Sequence, residues 1–192
     1  MYHHLRGRLV EKNPTFVVVE CHGVGYYVNI SLSTYAQIGD DENVMIYTHL
    51  AVREDAHVLY GFAHESEREI FRLLISVSGV GANTARMILS SLLPDEVEMA
   101  IRSENIALLK GVKGIGAKTA QRIVVDLKDK VGLSSESGSI STSVSSSREE
   151  AIVALEVLGF SRKAIEKVVS AHLAQEPEAS VELIIKNALQ KL

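Results

Sequence analysis

Apolar side chains open the chain in short runs rich in Val, Tyr, Phe and Ile: "LRGRLVE", "TFVVVE", "GYYVNI", "VMIYTHL" and "HVLYGF". Asn13-Pro14, His22-Gly23 and Gly39-Asp40-Asp41 cut between them. Residues 1–62 therefore read as about five strands, which an OB-like β-barrel closes economically, a flat open sheet being the alternative. From Ala63 the period changes. In "SEREIFRLLISVS", Ile70, Leu73, Leu74 and Val77 share one helical face, and Ser66 with Glu69 has the spacing of a capping box. Pro94 before Asp95 and Glu96 suits a further helix start, so short helices are predicted across residues 63–132.

The stretch "SSESGSISTSVSSS" then carries too little apolar surface to offset the entropy of ordering, and residues 133–147 read as a flexible Ser-rich linker. Such a tether has an r.m.s. span of about 20 Å. Beyond it, "SREEAIVALEVLGFSRKAIEKVVSAHL" and "SVELIIKNALQKL" repeat at helical period. They predict a three-helix module over residues 148–192, with Ser147 and Ser161 as caps. The fold class expected is α+β and multidomain: a barrel, a central all-α domain and a tethered helical module.

Composition narrows the function. No run approaches the roughly 20 apolar residues of a membrane helix. Nothing at the N-terminus resembles a signal peptide, and Cys21 alone permits no internal disulfide, so a cytoplasmic setting is expected. The net charge of −4 excludes a simple polycation. Between Arg72 and Arg122, however, seven basic residues face four acidic ones, a local balance of +3. That asymmetry points to an anionic partner.

The basic region holds a duplication. Leu73–Leu92, "LLISVSGVGANTARMILSSL", aligns with Leu108–Leu127, "LLKGVKGIGAKTAQRIVVDL", at an offset of 35 residues with 10 of 20 positions identical. Gly79, Gly81 and Thr84 match Gly114, Gly116 and Thr119. A Walker loop fails here, because Ala117 separates Gly116 from Lys118 and Asn83 replaces the lysine in the first copy. The dinucleotide fingerprint fails too, since Thr84 and Thr119 stand where Gly or Ala is needed and helical period precedes the glycines. What remains is helix, tight glycine turn, helix. Glycine lets successive amides point into one concavity, and the next helix adds its free N-terminal amides. Val80 and Ile115 anchor the turns inward. Gly79, Val80, Gly81, Asn83 and Thr84, with Gly114, Ile115, Gly116, Lys118, Thr119 and Arg122, are thus candidates for gripping backbone phosphate without reading bases. Lys113 lies close enough in sequence to assist. Compact corners in a helical core are the plainer use of the same turns.

The order of "HLRGRLVEK", "GVGYYVNI", "THLAVREDAHVLYGF", the two glycine hairpins, the Ser-rich stretch and "ALEVLGF" resembles the RuvA family of four-way (Holliday) junction proteins across essentially the whole chain. The resemblance implies a barrel, a double helix-hairpin-helix domain and a tethered module. It implies a homotetramer, or paired tetramers, on sequence-independent junction DNA. It also implies that the module recruits the RuvB motor ATPase for branch migration in recombination and repair, with the RuvC resolvase as a further partner. Glu54 and Asp55 would form an acidic pin at the junction centre, repelling duplex that runs straight through. Arg53 would guide the departing strands. Leu155, Leu158, Gly159 and Phe160 would belong to the motor-binding module, chiefly as its core. The chain departs from the family where Ala82 and Asn83 replace a frequent proline and lysine, leaving the first hairpin to its amides and Thr84.

No histidine or cysteine spacing suits a metal, and no Gly-x-Ser-x-Gly elbow occurs; no cofactor, no metal and no catalysis by this chain are expected. Two other functions compete. A helix-hairpin-helix glycosylase or lyase would use Asp126, Lys128 or Lys130. A single-strand binder would stack bases on Phe16, Tyr26 and Tyr27 of the barrel.

Overall fold

The structure, a computed structural model, describes residues 2–39, 41–131, 143–174, 176–177 and 179–192; of 143–146 it describes the backbone alone. Residues 1–134 form one compact unit and residues 135–192 a second.

In the first unit, β1 (His4–Asn13), β2 (Phe16–Cys21), β3 (Val24–Ile30), β4 (Asn43–Val52) and β5 (His57–Phe62) close into a barrel in the order β1-β2-β3-β5-β4. All pairs are antiparallel except β3 with β5, which is parallel from Val28↔Leu59 to Ile30↔Gly61. Closure leaves no free edge for a second chain to extend. Alternation along the strands sends Leu5, Val17, Val19, Val28, Ile30 and Ile46 inward. Gly61 is required where β5 crosses the interior: a Cβ there would lie 2.5 Å from Val28 Cγ1 and 2.7 Å from Ile46 Cγ2. A short helix absent from the sequence prediction, α1 (Leu32–Gln37), links β3 to β4; Ser31 caps it by accepting from the Thr34 amide at 2.9 Å.

Helices α2 (Glu65–Ser76), α3 (Ala82–Ser91), α4 (Pro94–Arg102), α5 (Ile106–Lys110) and α6 (Ala117–Leu127) follow. Phe71, Leu74, Ile88, Leu89, Ile101, Leu109, Ile123 and Leu127 fill their shared core, to which the barrel contributes Tyr60 and Phe62. Each fully buried aliphatic side chain contributes about 1.5–3 kcal/mol. Pro94 occupies the first position of α4 as expected, and Glu96 accepts from the Leu93 amide at 2.8 Å. The capping box expected at Ser66 is displaced. Helix α2 starts two residues earlier than that box implies, at Glu65, with His64 as its uncapped N-terminus.

Neighbouring residues of α2 fasten it to the barrel. The buried Glu67 carboxylate accepts from Ser31 Oγ at 2.5 Å and Thr34 Oγ1 at 2.6 Å, joining α2 to α1. Burial nevertheless raises its pKa above the ordinary value, against the lowering effect of those two hydroxyls. Arg68, equally buried, donates to the His3 carbonyl at 2.8 Å, pairs with Glu65 and lies 5.2 Å from the centre of the Tyr47 ring. Arg86 of α3 adds bonds to the Thr15 carbonyl and to Asn29 Oδ1 at 3.2 and 3.1 Å.

In the second unit α7 (Ser143–Val157), α8 (Arg162–Leu173) and α9 (Val181–Lys191) pack around Ile152, Leu155, Ile165, Val169 and Ile184. Helix α7 begins at Ser143, so the last residues assigned to the linker are helical and Ser147 lies inside a helix rather than capping it. Once the apolar stripe from Ala151 onward is packed, each serine added upstream extends an existing helix, which is easier than nucleating one. Linker residues 133–142 lie outside the described residues. Ser161 precedes α8 without a side-chain cap, whereas Ser180 caps α9 by accepting from Leu183 at 3.4 Å.

Candidate nucleic-acid interface

The duplicated sequence folds into duplicated hairpins. After α2, Val77 donates to the Leu74 carbonyl at 3.1 Å and Val80 to Val77 at 3.0 Å. After α5, Val112 donates to Leu109 at 3.2 Å and Ile115 to Val112 at 3.1 Å. Between these bonds Gly79 and Gly114 adopt φ of +91° and +89°, the left-handed region that costs other L-residues roughly 1–2 kcal/mol. Val80 and Ile115 are each 5% exposed and peg the turns into the core. Ala85 and Ala120, both fully buried, bring the helices together.

The amides behind each turn are free. Ala85 donates the first bond of α3, to Gly81 at 2.9 Å, and Ala120 the first of α6, to Gly116 at 2.9 Å. Ahead of them, the amides of Gly79, Gly81, Ala82, Asn83 and Thr84 find no acceptor among the described residues. The same holds for Gly114, Gly116, Ala117, Lys118 and Thr119. Gly79, Gly81, Gly114 and Gly116 are exposed. No heavy atom comes within 4 Å of a Cβ built on Gly81 or Gly116. Each turn presents its free amides to open space at the positively polarised end of a helix.

The polar side chains divide. Lys118 and Arg122 are exposed, and no carboxylate among the described residues pairs with either. Thr84 and Thr119 are half-buried beside their turns. Asn83 accepts a bond at Oδ1 from the Tyr60 hydroxyl at 3.1 Å, which ties it to the barrel. Arg122 donates to the Ser78 carbonyl at 2.9 Å, in the turn of the other repeat. Neither contact is legible from spacing, because both cross between distant segments.

At the far end of β4 the tip "REDA" makes a tight return, closed by the Arg53 amide on the Ala56 carbonyl at 2.9 Å. Glu54 and Asp55 are exposed there, as expected of a hairpin tip, and Arg53 Nε lies 3.5 Å from Asp55 Oδ1. Lys128 pairs with Glu104 at 3.6 Å on the surface. Phe16 and Tyr27 stack on each other with centroids 4.5 Å apart, while Tyr26 packs edge-on against Tyr2.

The sequence matches the domain families described as RuvA N terminal domain over residues 1–61, SAM-like helix-hairpin-helix tandem over 71–129, and RuvA C-terminal domain over 146–192. A Christiangramia forsetii protein named Holliday junction branch migration complex subunit RuvA is 60% identical over 194 residues, spanning the whole of both chains. Proteins of the same name from Flavobacterium psychrophilum and Bacteroides thetaiotaomicron are each 53% identical, again over full length. The chain belongs to the RuvA family. Its closed barrel, tandem hairpins and C-terminal helices are the RuvA arrangement of domains.

In the C-terminal RuvA module, α7 ends in a Schellman turn: Phe160 donates to Leu155 at 3.2 Å, Gly159 to Glu156 at 2.9 Å, and Gly159 takes φ +97°. Leu155 is fully buried and Phe160 packs partly against the same core, so both serve folding. Leu158 is 59% exposed. Beside it, the sequence reading overlooked Val153 and Val157, which are 50% and 82% exposed. Their one-turn spacing along the helix was the signal available.

Proposed function

We propose that this chain is a non-catalytic binder of four-way junction DNA that assembles as a homotetramer and presents its C-terminal module to the RuvB motor for branch migration. The carrying observation is the pair of exposed turns whose free amides converge on open space, in a chain 60% identical to a named Holliday junction subunit. Amides and a cation grip phosphate wherever the backbone passes, so affinity depends on salt and shape rather than on sequence.

Selectivity for the crossover comes from the opposite sign of charge. Glu54 and Asp55 project from the β4–β5 tip, and clustered copies of that tip repel a duplex continuing straight through while tolerating strands that turn away. Arg53, already 3.5 Å from Asp55, orders the tip and offers its remaining donors to the diverging backbone. Val153, Val157 and Leu158 form the apolar surface offered to the motor, and RuvC joins from the uncovered side of the junction. ATP is hydrolysed by the motor, in the cytoplasm.

Gel shifts of junction, fork, duplex and single strand at one salt concentration test this function. Junction is expected to bind tightest, followed by fork, duplex and single strand. Equal affinity for duplex and junction would remove the selectivity on which the proposal stands. A preference for single strands would favour the barrel's aromatic face instead.

A further inference from the structure

The two repeats carry their cations unequally. The first has Asn83 and Met87 where the second has Lys118 and Arg122, at matched positions of α3 and α6. The one cation within the first repeat, Arg86, is engaged by the Thr15 carbonyl and Asn29 of the barrel.

The packing redistributes them. Arg122 does not stay at its own turn: its Nη1 donates to the Ser78 carbonyl at 2.9 Å and lies 3.9 Å from a Cβ built on Gly79. Met87, its counterpart, makes the reciprocal approach, with its methyl carbon 3.8 Å from a Cβ built on Gly114. The repeats thus exchange this one helical position. We propose that the two cations of α6 are divided between the turns, Lys118 serving its own and Arg122 completing the first.

Three observations fit together under that assignment. Only one Arg122 donor is spent on the carbonyl, and no carboxylate among the described residues competes for the rest. A planar guanidinium fixed at one nitrogen presents its remaining donors in a set direction, as phosphate recognition requires. Asn83 has its oxygen held by Tyr60, which leaves Nδ2 as a neutral donor on the exposed side of the same turn. The first hairpin therefore binds with amides, one amide side chain and a borrowed cation. The second binds with amides and Lys118.

This inference rests on the proposed capture of phosphate by the turns, and the test separates the two. Full-length variants Gly81→Thr, Gly116→Thr, Lys118→Ala and Arg122→Ala are bound to a synthetic junction, with phosphate-ethylation interference mapped for each. Gly81→Thr should erase one set of interfering phosphates and Gly116→Thr another. Arg122→Ala should erase the Gly81 set and Lys118→Ala the Gly116 set, each lowering the salt slope by about one and affinity about tenfold. Asn83→Lys placed in the Arg122→Ala background should restore slope, affinity and the Gly81 set. Loss of the Gly116 set on Arg122→Ala overturns the division of cations. So does a lower melting temperature with an unchanged slope, which would make Arg122 a carbonyl clamp alone. If neither glycine variant alters any set, phosphate capture itself fails.

Discussion

Gly114 and Gly116 stand two residues apart in one turn, yet substituting them should have opposite consequences. At Gly116 the backbone is extended, with φ −80° and ψ 163°, and a new Cβ meets nothing within 4 Å. Threonine caps a helix about as well as glycine, so Gly116→Thr should leave stability within about 0.5 kcal/mol. Its methyl and hydroxyl would fill the concavity, and the hydroxyl would take an amide otherwise offered to phosphate. Losing one charge-assisted bond of about 1.5–3 kcal/mol corresponds to roughly 10- to 150-fold weaker binding. At Gly114, φ is +89°, and a β-branched residue is strained by about 1–2 kcal/mol or more whatever space surrounds it. Gly114→Thr should therefore lower the melting temperature by about 3–8 °C. Thermal melting alongside fluorescence anisotropy on a labelled junction reads both effects. A Gly116→Thr protein that melts normally and binds normally would refute phosphate capture by these amides.

Neutralising the tip with Glu54→Gln and Asp55→Asn should raise duplex affinity and narrow the preference for junction in competition gel shifts. Gly61→Ala should cost about 1–3 kcal/mol through overpacking against Val28 and Ile46, seen as earlier melting with junction affinity unchanged in the cold. Glu67→Gln should destabilise the first unit by about 1–3 kcal/mol, because Ser31 and Thr34 both donate to this side chain while accepting from backbone amides. Since burial raises the Glu67 pKa above its ordinary 4.5, the carboxyl contributes most below that value. The stability gap between wild type and Glu67→Gln should then narrow as pH rises through the raised folded-state pKa, which denaturant titrations across pH would measure.

The barrel and the hairpins were legible because period and repetition are local signals. Runs such as "TFVVVE" announce strands on their own, and the 35-residue duplication exposed the turns without any knowledge of their packing. Helix α1 was missed because six residues, "LSTYAQ", are too few and too polar to display a period. Nothing in the local sequence singles out Glu67 or Arg68 as buried; only the arrival of α1 and the His3 carbonyl makes their burial tolerable. The reach of Arg122 into the other repeat depends on how two helices sit side by side, which neither copy encodes alone. At α7 the serines by composition suggest a linker, but helix propagation from a packed core prevails.

Glu67, bonded to α1, and Arg68, bonded to the His3 carbonyl ahead of β1, tie α2 down at two separate places between acidic tip and glycine turns. Such a unit is built as a caliper with welded jaws rather than as a hinge. Under the proposed binding mode, the distance from crossover to gripped backbone is then set by the protein, and it is the DNA arms that must conform to it.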